Sequence, residues 1–263
     1  MVLVQRLTSP SNVLLKAVRK AVTQGTTTPD GCSVAETFHL LEEALRSNCE
    51  VRVVLAAESV RDRVEQALGG RPDVRLAVLP DALLDRLTDT QSSQGVLALV
   101  RPPVWGMDDL FRLLPLLVVL DGVQDPGNAG GIVRAAEAFG STGLVFLKGS
   151  ANPYSPKSVR ASAGSVFRVP ITTGLDPTGL LAALARRNIP LYAAMPSGGM
   201  EASRADFNRG CAIVIGGEGR GVRQDLWTGA TAVRIPTAAV ESLNAAMAAG
   251  ILLYEARRQR GRP

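Results

Sequence analysis

The feature that most restricts the fold is a set of short, almost uninterrupted apolar runs in the second half of the chain. They are LLVVLD at 116–121, LVFL at 144–147 and CAIVI at 211–215. Such runs lack the alternation of a half-exposed strand and predict strands covered on both faces, the situation of a parallel sheet sandwiched by helices. IPLYAAM and AVRIPT read as further strands. Between them GGIVRAAEAFG, LLAALARRN and the terminal SLNAAMAAGILLYEARRQR carry helical spacing, with Gly140 closing the first of these helices. Strand and helix in alternation predict a parallel α/β domain. The first half repeats the alternation on a smaller scale. NVLLKAVRKAVTQ and ETFHLLEEALRS read as amphipathic helices, the second with Glu42, Glu43 and Arg46 toward water, while VRVVLAA, VRLAVL and GVLALV read as strands. Arg101-Pro-Pro-Val-Trp105 suits neither helix nor central strand. The expected organisation is therefore a small α/β domain at 1–103, a linker at 104–112 and a parallel-sheet domain at 113–263.

A chain of 263 residues, 46% hydrophobic and 20% charged, is large enough to bury a core without staples, which excludes a disulfide mini-protein and global disorder. No apolar run approaches the ~18 residues of a membrane span, and Met1 to Pro10 has no signal-peptide core, so a cytoplasmic protein is expected. Cys32, Cys49 and Cys211 are odd in number and show no CxxC spacing, so no metal is expected. His39 is the only histidine, which excludes any mechanism needing two and leaves it as the one candidate for Ser-His-Asp chemistry. The formal charge is +5, but residues 1–103 carry 12 charges of each sign. Arg257, Arg258, Arg260 and Arg262 in the tail supply most of the excess. A basic balance points toward nucleic acid. Here it is the placement of individual arginines that carries information.

Three polar loops each follow a buried strand, and in an open α/β sheet ligands bind outside the carboxyl ends of strands. The first runs from Asp121 through Asn128 to Arg134. Asn128 reads as a helix cap. Arg134 lies among small and apolar residues, where a charge calls for a partner such as an RNA phosphate or a substrate oxygen. The second, Gly216-Gly-Glu218-Gly-Arg220-Gly221, has the register GGxGxG rather than GxGxxG and no Walker lysine, which disfavours a nucleotide-dependent oxidoreductase. Its glycines allow close approach to a flat ligand, with Glu218 in their midst. The third, Ile235-Pro-Thr-Ala-Ala-Val-Glu241-Ser242-Leu243-Asn244, leads into an Ala-rich helix for which Ser242 is either a cap or a site residue.

DPGNAGGIVRAAEAFG, IVIGGEGRGV and IPTAAVESLNAAMAAGILLYE, in that order, resemble the three signature motifs of the SpoU (TrmH-like) family of RNA ribose 2'-O-methyltransferases in the SPOUT superfamily. PYSPKSVRASAGSVFRVP resembles the intervening stretch, so the resemblance covers about 115–260. More loosely, AETFHLLEEALRS and LTDTQSSQGVLALV are similar to parts of the family's ribosomal-protein-like substrate-binding domain. Ala35-Glu36-Thr37 departs from the EG pattern of that domain, and Thr237 and Ala238 stand where the third motif has Met and often Gly.

The resemblance implies a deep trefoil knot at the carboxyl end of the parallel sheet, S-adenosyl-L-methionine as cofactor, and a homodimer. It implies that Gly216, Gly217, Gly219, Ile235 and Leu243 hold the cofactor, and that Arg134, Asn128, Glu218, Ser242 and Asn244 form the catalytic set. Arg134 then acts either as a transient base or as a cation stabilising the developing alkoxide while a phosphate takes the proton. Lys157, Arg160, Arg220 and Arg223 are the expected RNA contacts. Lys16, Arg19 and Lys20 of the first helix are read as a solvated face. The expected activity is methylation of a ribose 2'-hydroxyl in structured RNA, ribosomal RNA ahead of transfer RNA. A non-catalytic RNA-binding protein of the same fold is the alternative. Ile251, Leu252, Leu253 and Tyr254 of the terminal helix are assigned equally to a dimer contact or to burial within one chain.

Overall fold

The computed structural model describes residues 3–88 and 94–261. Residues 89–93 of the LTDTQSSQGVLALV segment and Arg262 of the tail lie outside the described residues. The chain forms two compact units, the first made of Met1–Val104 with Tyr154–Arg168, the second of Trp105–Pro153 with Val169–Pro263. Sequence had placed 154–168 with the methyl-transfer half.

In the first unit, strands β1 (Leu3–Arg6), β2 (Ser33–Glu36), β3 (Glu50–Ala57), β4 (Arg75–Leu79) and β5 (Val96–Arg101) are ordered β1-β4-β3-β5-β2. β1, β4 and β3 are parallel, and β5 runs antiparallel to both β3 and β2. The helix Val13–Gln24, capped by Asn12, buries Leu15, Val18, Ala21 and Val22 and leaves Lys16, Arg19 and Lys20 exposed. Its periodicity made it legible in advance.

β1 and β2 were not. All four residues of β2 are buried, Ser33 and Glu36 included, so neither alternation nor an apolar run marks it. Two of its polar side chains face the Tyr154–Arg168 segment. Ser33 donates to the carbonyl of Tyr154 at 2.9 Å, and the carboxylate of Glu36, 2% exposed, faces the Arg160 guanidinium at 3.0 Å. Glu43 is likewise not a water-facing residue, because it pairs with Arg168 as well as Arg46. Between β2 and the helix Phe38–Arg46 stands Thr37, with φ 110° and ψ 153°. That backbone region is essentially reserved for glycine. Its hydroxyl accepts from the Leu40 N–H and so caps the helix from a strained position.

The expected linker is structured too: it holds the short helix Met107–Leu110, and Leu110 is fully buried in the core of the second unit. Strands β6 (Leu116–Asp121), β7 (Gly143–Leu147), β8 (Ile171–Leu175), β9 (Leu191–Ala194), β10 (Met200–Glu201), β11 (Cys211–Gly216) and β12 (Thr231–Arg234) form one sheet, ordered β10-β12-β9-β11-β6-β7-β8. Every pairing in it is parallel. β6, β7 and β11 are buried along nearly their whole length, as the apolar runs required. The helices Pro126–Ala138 and Ala245–Gln259 pack on each other with Gly131 against Ala246, where a Cβ at Gly131 would lie 3.2 Å from the alanine methyl. The tail arginine Arg260 is structural: its guanidinium donates to the carbonyls of Phe207, Leu114, Pro115 and Arg209. Among the described residues no helix is long and apolar enough to cross a membrane.

Candidate active site

Parallel register sets the site. β11 lies beside β6 with Gly216 opposite Asp121, so the first and second loops leave the sheet side by side. Asp121 closes an apolar strand, yet it is 3% exposed. It is held by Arg223, whose Nε donates to Oδ1 at 2.6 Å and whose backbone N–H donates to Oδ2 at 2.8 Å. This pair ties the end of the second loop to the end of β6. Gly217 fits between them because it has no side chain. A Cβ there would stand 2.1 Å from the Gly122 carbonyl oxygen.

The first loop enters the helix Pro126–Ala138 through Asp125, not Asn128. Asp125 is the N-cap, its side chain accepting from the Asn128 N–H at 2.9 Å, with proline in the first turn. An Asp-Pro pair ahead of a helix was the available signal. With the cap supplied by Asp125, the Asn128 side chain turns outward and donates from Nδ2 to Glu218 Oε1 at 2.5 Å. The cap of the terminal helix is likewise Asn244, not Ser242. Asn244 Oδ1 accepts from the Ala246 and Met247 N–H groups at 3.0 and 3.3 Å. Its Nδ2 donates to Asn128 Oδ1 at 2.9 Å, with Glu218 Oε1 at 3.4 Å. Asn128, Glu218 and Asn244, one from each loop, thus close a three-membered ring of side-chain hydrogen bonds.

Beside the ring opens a cavity of about 350 Å³, within the size range of small-ligand sites. All five expected cofactor residues, Gly216, Gly217, Gly219, Ile235 and Leu243, line it, as do Glu218 and Ser242. Ile215, Val233 and Leu252 give it an apolar wall suited to a flat heterocycle, and Gly219 has open space in front of it. Those properties fit S-adenosylmethionine, a purine nucleoside joined to a charged amino-acid arm. Sequence reasoning missed Met195, Pro196 and Glu241, which also line the cavity. Thr237, noted only as a departure from the motif, lines it as well.

The other expected residues are distributed differently. Arg134 does not line the cavity; it is exposed on its helix and makes no ion pair or hydrogen bond among the described residues. Its small apolar neighbours face inward while its own side chain faces out, so burial does not force a partner on it. Arg220 is exposed in the second loop. Arg223 and Arg160 are engaged by Asp121 and Glu36, and they hold structure together. Lys157 is exposed at the start of the helix Pro156–Ala161, in the first unit.

A parallel sheet with a small-ligand cavity and a polar ring beyond its strand ends defines a ligand-binding protein of the α/β class. Residues 115–254 match the SpoU rRNA Methylase family, and residues 37–105 match the RNA 2'-O ribose methyltransferase substrate binding domain. An uncharacterized tRNA/rRNA methyltransferase of Synechocystis is 32% identical over 96% of this chain and 93% of its own length. The 23S rRNA (guanosine(2553)-2'-O)-methyltransferase RlmP of Bacillus subtilis is 27% identical over 96% of this chain and 99% of its own. The crystal structure of an AdoMet-bound rRNA methyltransferase from Sinorhizobium meliloti agrees with a TM-score of 0.86 at 26% identity, covering 97% of this chain and 98% of that one. The chain belongs to the SpoU rRNA methylase family. It is an S-adenosylmethionine-dependent RNA 2'-O-ribose methyltransferase.

Proposed function

We propose that the enzyme methylates a ribose 2'-hydroxyl of ribosomal RNA, using the ring Asn128–Glu218–Asn244, Ser242 and Arg134 as its catalytic set. The observation that carries this reading is the ring itself. Three amide and carboxylate groups from three loops are locked together at the rim of a cavity fitted to the cofactor. When bound, S-adenosylmethionine supplies an electrophilic methyl on its sulfonium and leaves as a neutral thioether.

The chain's own residues have two tasks: to place the 2'-hydroxyl in line with that methyl, and to stabilise the oxyanion that develops. The ring and the Ser242 hydroxyl do the placing. Arg134 does the stabilising, while an RNA phosphate takes the proton released from the hydroxyl. Of the two roles for it, the cationic one is preferred, because the base role needs a desolvated guanidinium and Arg134 is exposed in this chain. Gly216, Gly217, Gly219, Ile235 and Leu243 hold the cofactor, in a site we assign to a trefoil knot.

Ribosomal rather than transfer RNA is favoured by the Bacillus subtilis relative, which acts on 23S rRNA and spans nearly the same length. Lys157 and Arg220 are the exposed cations assigned to RNA. Met247, Ile251 and Tyr254, at 57, 38 and 56% exposure, form one outer stripe of the terminal helix, while Leu252 and Leu253 are buried within the chain. That stripe supports a homodimer contact. The place of action is the cytoplasm. The test is methyl transfer onto separated ribosomal and transfer RNA followed by mapping of the modified nucleotide. Transfer confined to transfer RNA overturns the substrate assignment.

A further inference from the structure

The cavity wall has an unbalanced charge. Two carboxylates, Glu218 and Glu241, line it, and no lysine or arginine does among the described residues. The nearest cations in the sequence of these loops are otherwise disposed. Arg223 is held by Asp121, Arg234 is held by Glu201 at 3.1 Å, and Arg220 is exposed off the wall. Glu218 has Oε1 committed to the ring. Glu241 is exposed and has no hydrogen-bond or ion-pair partner among the described residues, so its carboxylate is available to whatever enters. It is absent from the ring, and no catalytic role has been given to it above.

We propose that Glu241 is a specificity-determining residue, the one that makes the cavity prefer the cationic cofactor over its spent form. The two molecules share adenine, ribose, α-ammonium and carboxylate. They differ by one methyl group and by the sulfonium charge, which is lost when the carbon–sulfur bond breaks and its electron pair stays on sulfur. A carboxylate acting on the sulfur attracts the first there and meets no charge on the second. A wholly apolar wall would penalise the sulfonium and favour the neutral spent form, which would then block turnover. Differential affinity of this kind is what a charge that appears on only one of two ligands provides.

The inference rests on the cavity being the cofactor site, and the experiment separates the two. Titration calorimetry with S-adenosylmethionine and S-adenosylhomocysteine is run on the full chain and on Glu241→Gln, Glu241→Asp and Leu243→Trp, the last filling the cavity. The expected result is loss of both ligands in Leu243→Trp. In Glu241→Gln, S-adenosylmethionine should weaken roughly fivefold, the scale of an exposed charge pair, with S-adenosylhomocysteine unchanged. Glu241→Asp should fall between. Equal weakening of both ligands in Glu241→Gln would place the carboxylate on the shared ammonium and overturn the inference, as would no change in either. Unimpaired binding of both ligands by folded Leu243→Trp overturns the cavity assignment itself.

Discussion

Asn244 performs two tasks with one amide, and a short series of variants pulls them apart. Its oxygen caps the helix Ala245–Gln259, and its nitrogen joins Asn128 and Glu218. Losing an asparagine cap costs about 1 kcal/mol. Of the two bonds from nitrogen, the 2.9 Å bond to Asn128 is well formed and the 3.4 Å contact to Glu218 is long. Together, in an exposed setting, they contribute about 1 kcal/mol. Asn244→Ala forfeits both tasks and should lose about 2 kcal/mol. Asn244→Ser keeps a capping oxygen and should lose only about half of that. Asn244→Asp keeps the cap but sets a third acceptor against Asn128 Oδ1 and Glu218 Oε1. Urea unfolding would rank stability, and single-turnover methyl transfer would report the ring. All three variants should transfer methyl about tenfold to a hundredfold more slowly, since misplacement of the reacting groups is what each produces. Wild-type transfer by Asn244→Ser would show that the ring has no part in positioning. Equal stability of the alanine and serine variants would refute the cap.

Arg134→Ala should remove most methyl transfer while leaving cofactor affinity within about twofold, because Arg134 is off the cavity wall; calorimetry beside the transfer assay checks it, and full activity sinks the role. Thr37→Gly should raise stability by about 1 kcal/mol, relief of a glycine-only conformation outweighing the greater chain freedom of glycine and a slightly poorer cap. Thermal melts would show it, and a lower midpoint would mean that the Thr37 hydroxyl matters more than its backbone. Burial pushes the Cys211 thiol from an ordinary 9.0 up to about 11. The unfolded chain therefore gives up that proton first, so stability is complete below pH 9 and declines as pH rises from 9 toward 11. Melts of wild type and Cys211→Ala across that interval should diverge in slope, and parallel profiles would exclude the thiol as the cause.

The second unit was the more legible half, for a physical reason. Strands covered on both faces must be apolar throughout, so β6, β7 and β11 announced themselves, and the loops after the neighbouring strands β6 and β11 had to converge. β2 was invisible because its burial is achieved with a serine and a glutamate, whose partners come from Tyr154–Arg168, far along the chain. The site residues were readable as types but not in their tasks. Asn128 and Ser242 looked like caps, and the caps proved to be Asp125 and Asn244. Cap chemistry is local, but which of several polar residues within three positions takes it depends on where the helix starts. Arg134 was expected to need a partner because its neighbours are small and apolar. A helix has two sides, and the neighbours occupied the other one. Glu241 carried no signal beyond being an acidic residue within the third motif, and only the cavity it lines distinguishes it from a surface glutamate.

The passage of Tyr154–Arg168 into the first unit bears on how such a gene can be rearranged. Where two domains are joined by a single covalent bridge, either piece can be transplanted by one cut. Here the main chain passes between units at 104, 153 and 168. A recombination event that moved only the first 104 residues would part the buried Glu36 carboxylate from the Arg160 guanidinium that faces it. Inheritance of the RNA-side module is thereby linked to a stretch of the catalytic half. The two halves of this enzyme are expected to diversify as one heritable block rather than by exchange.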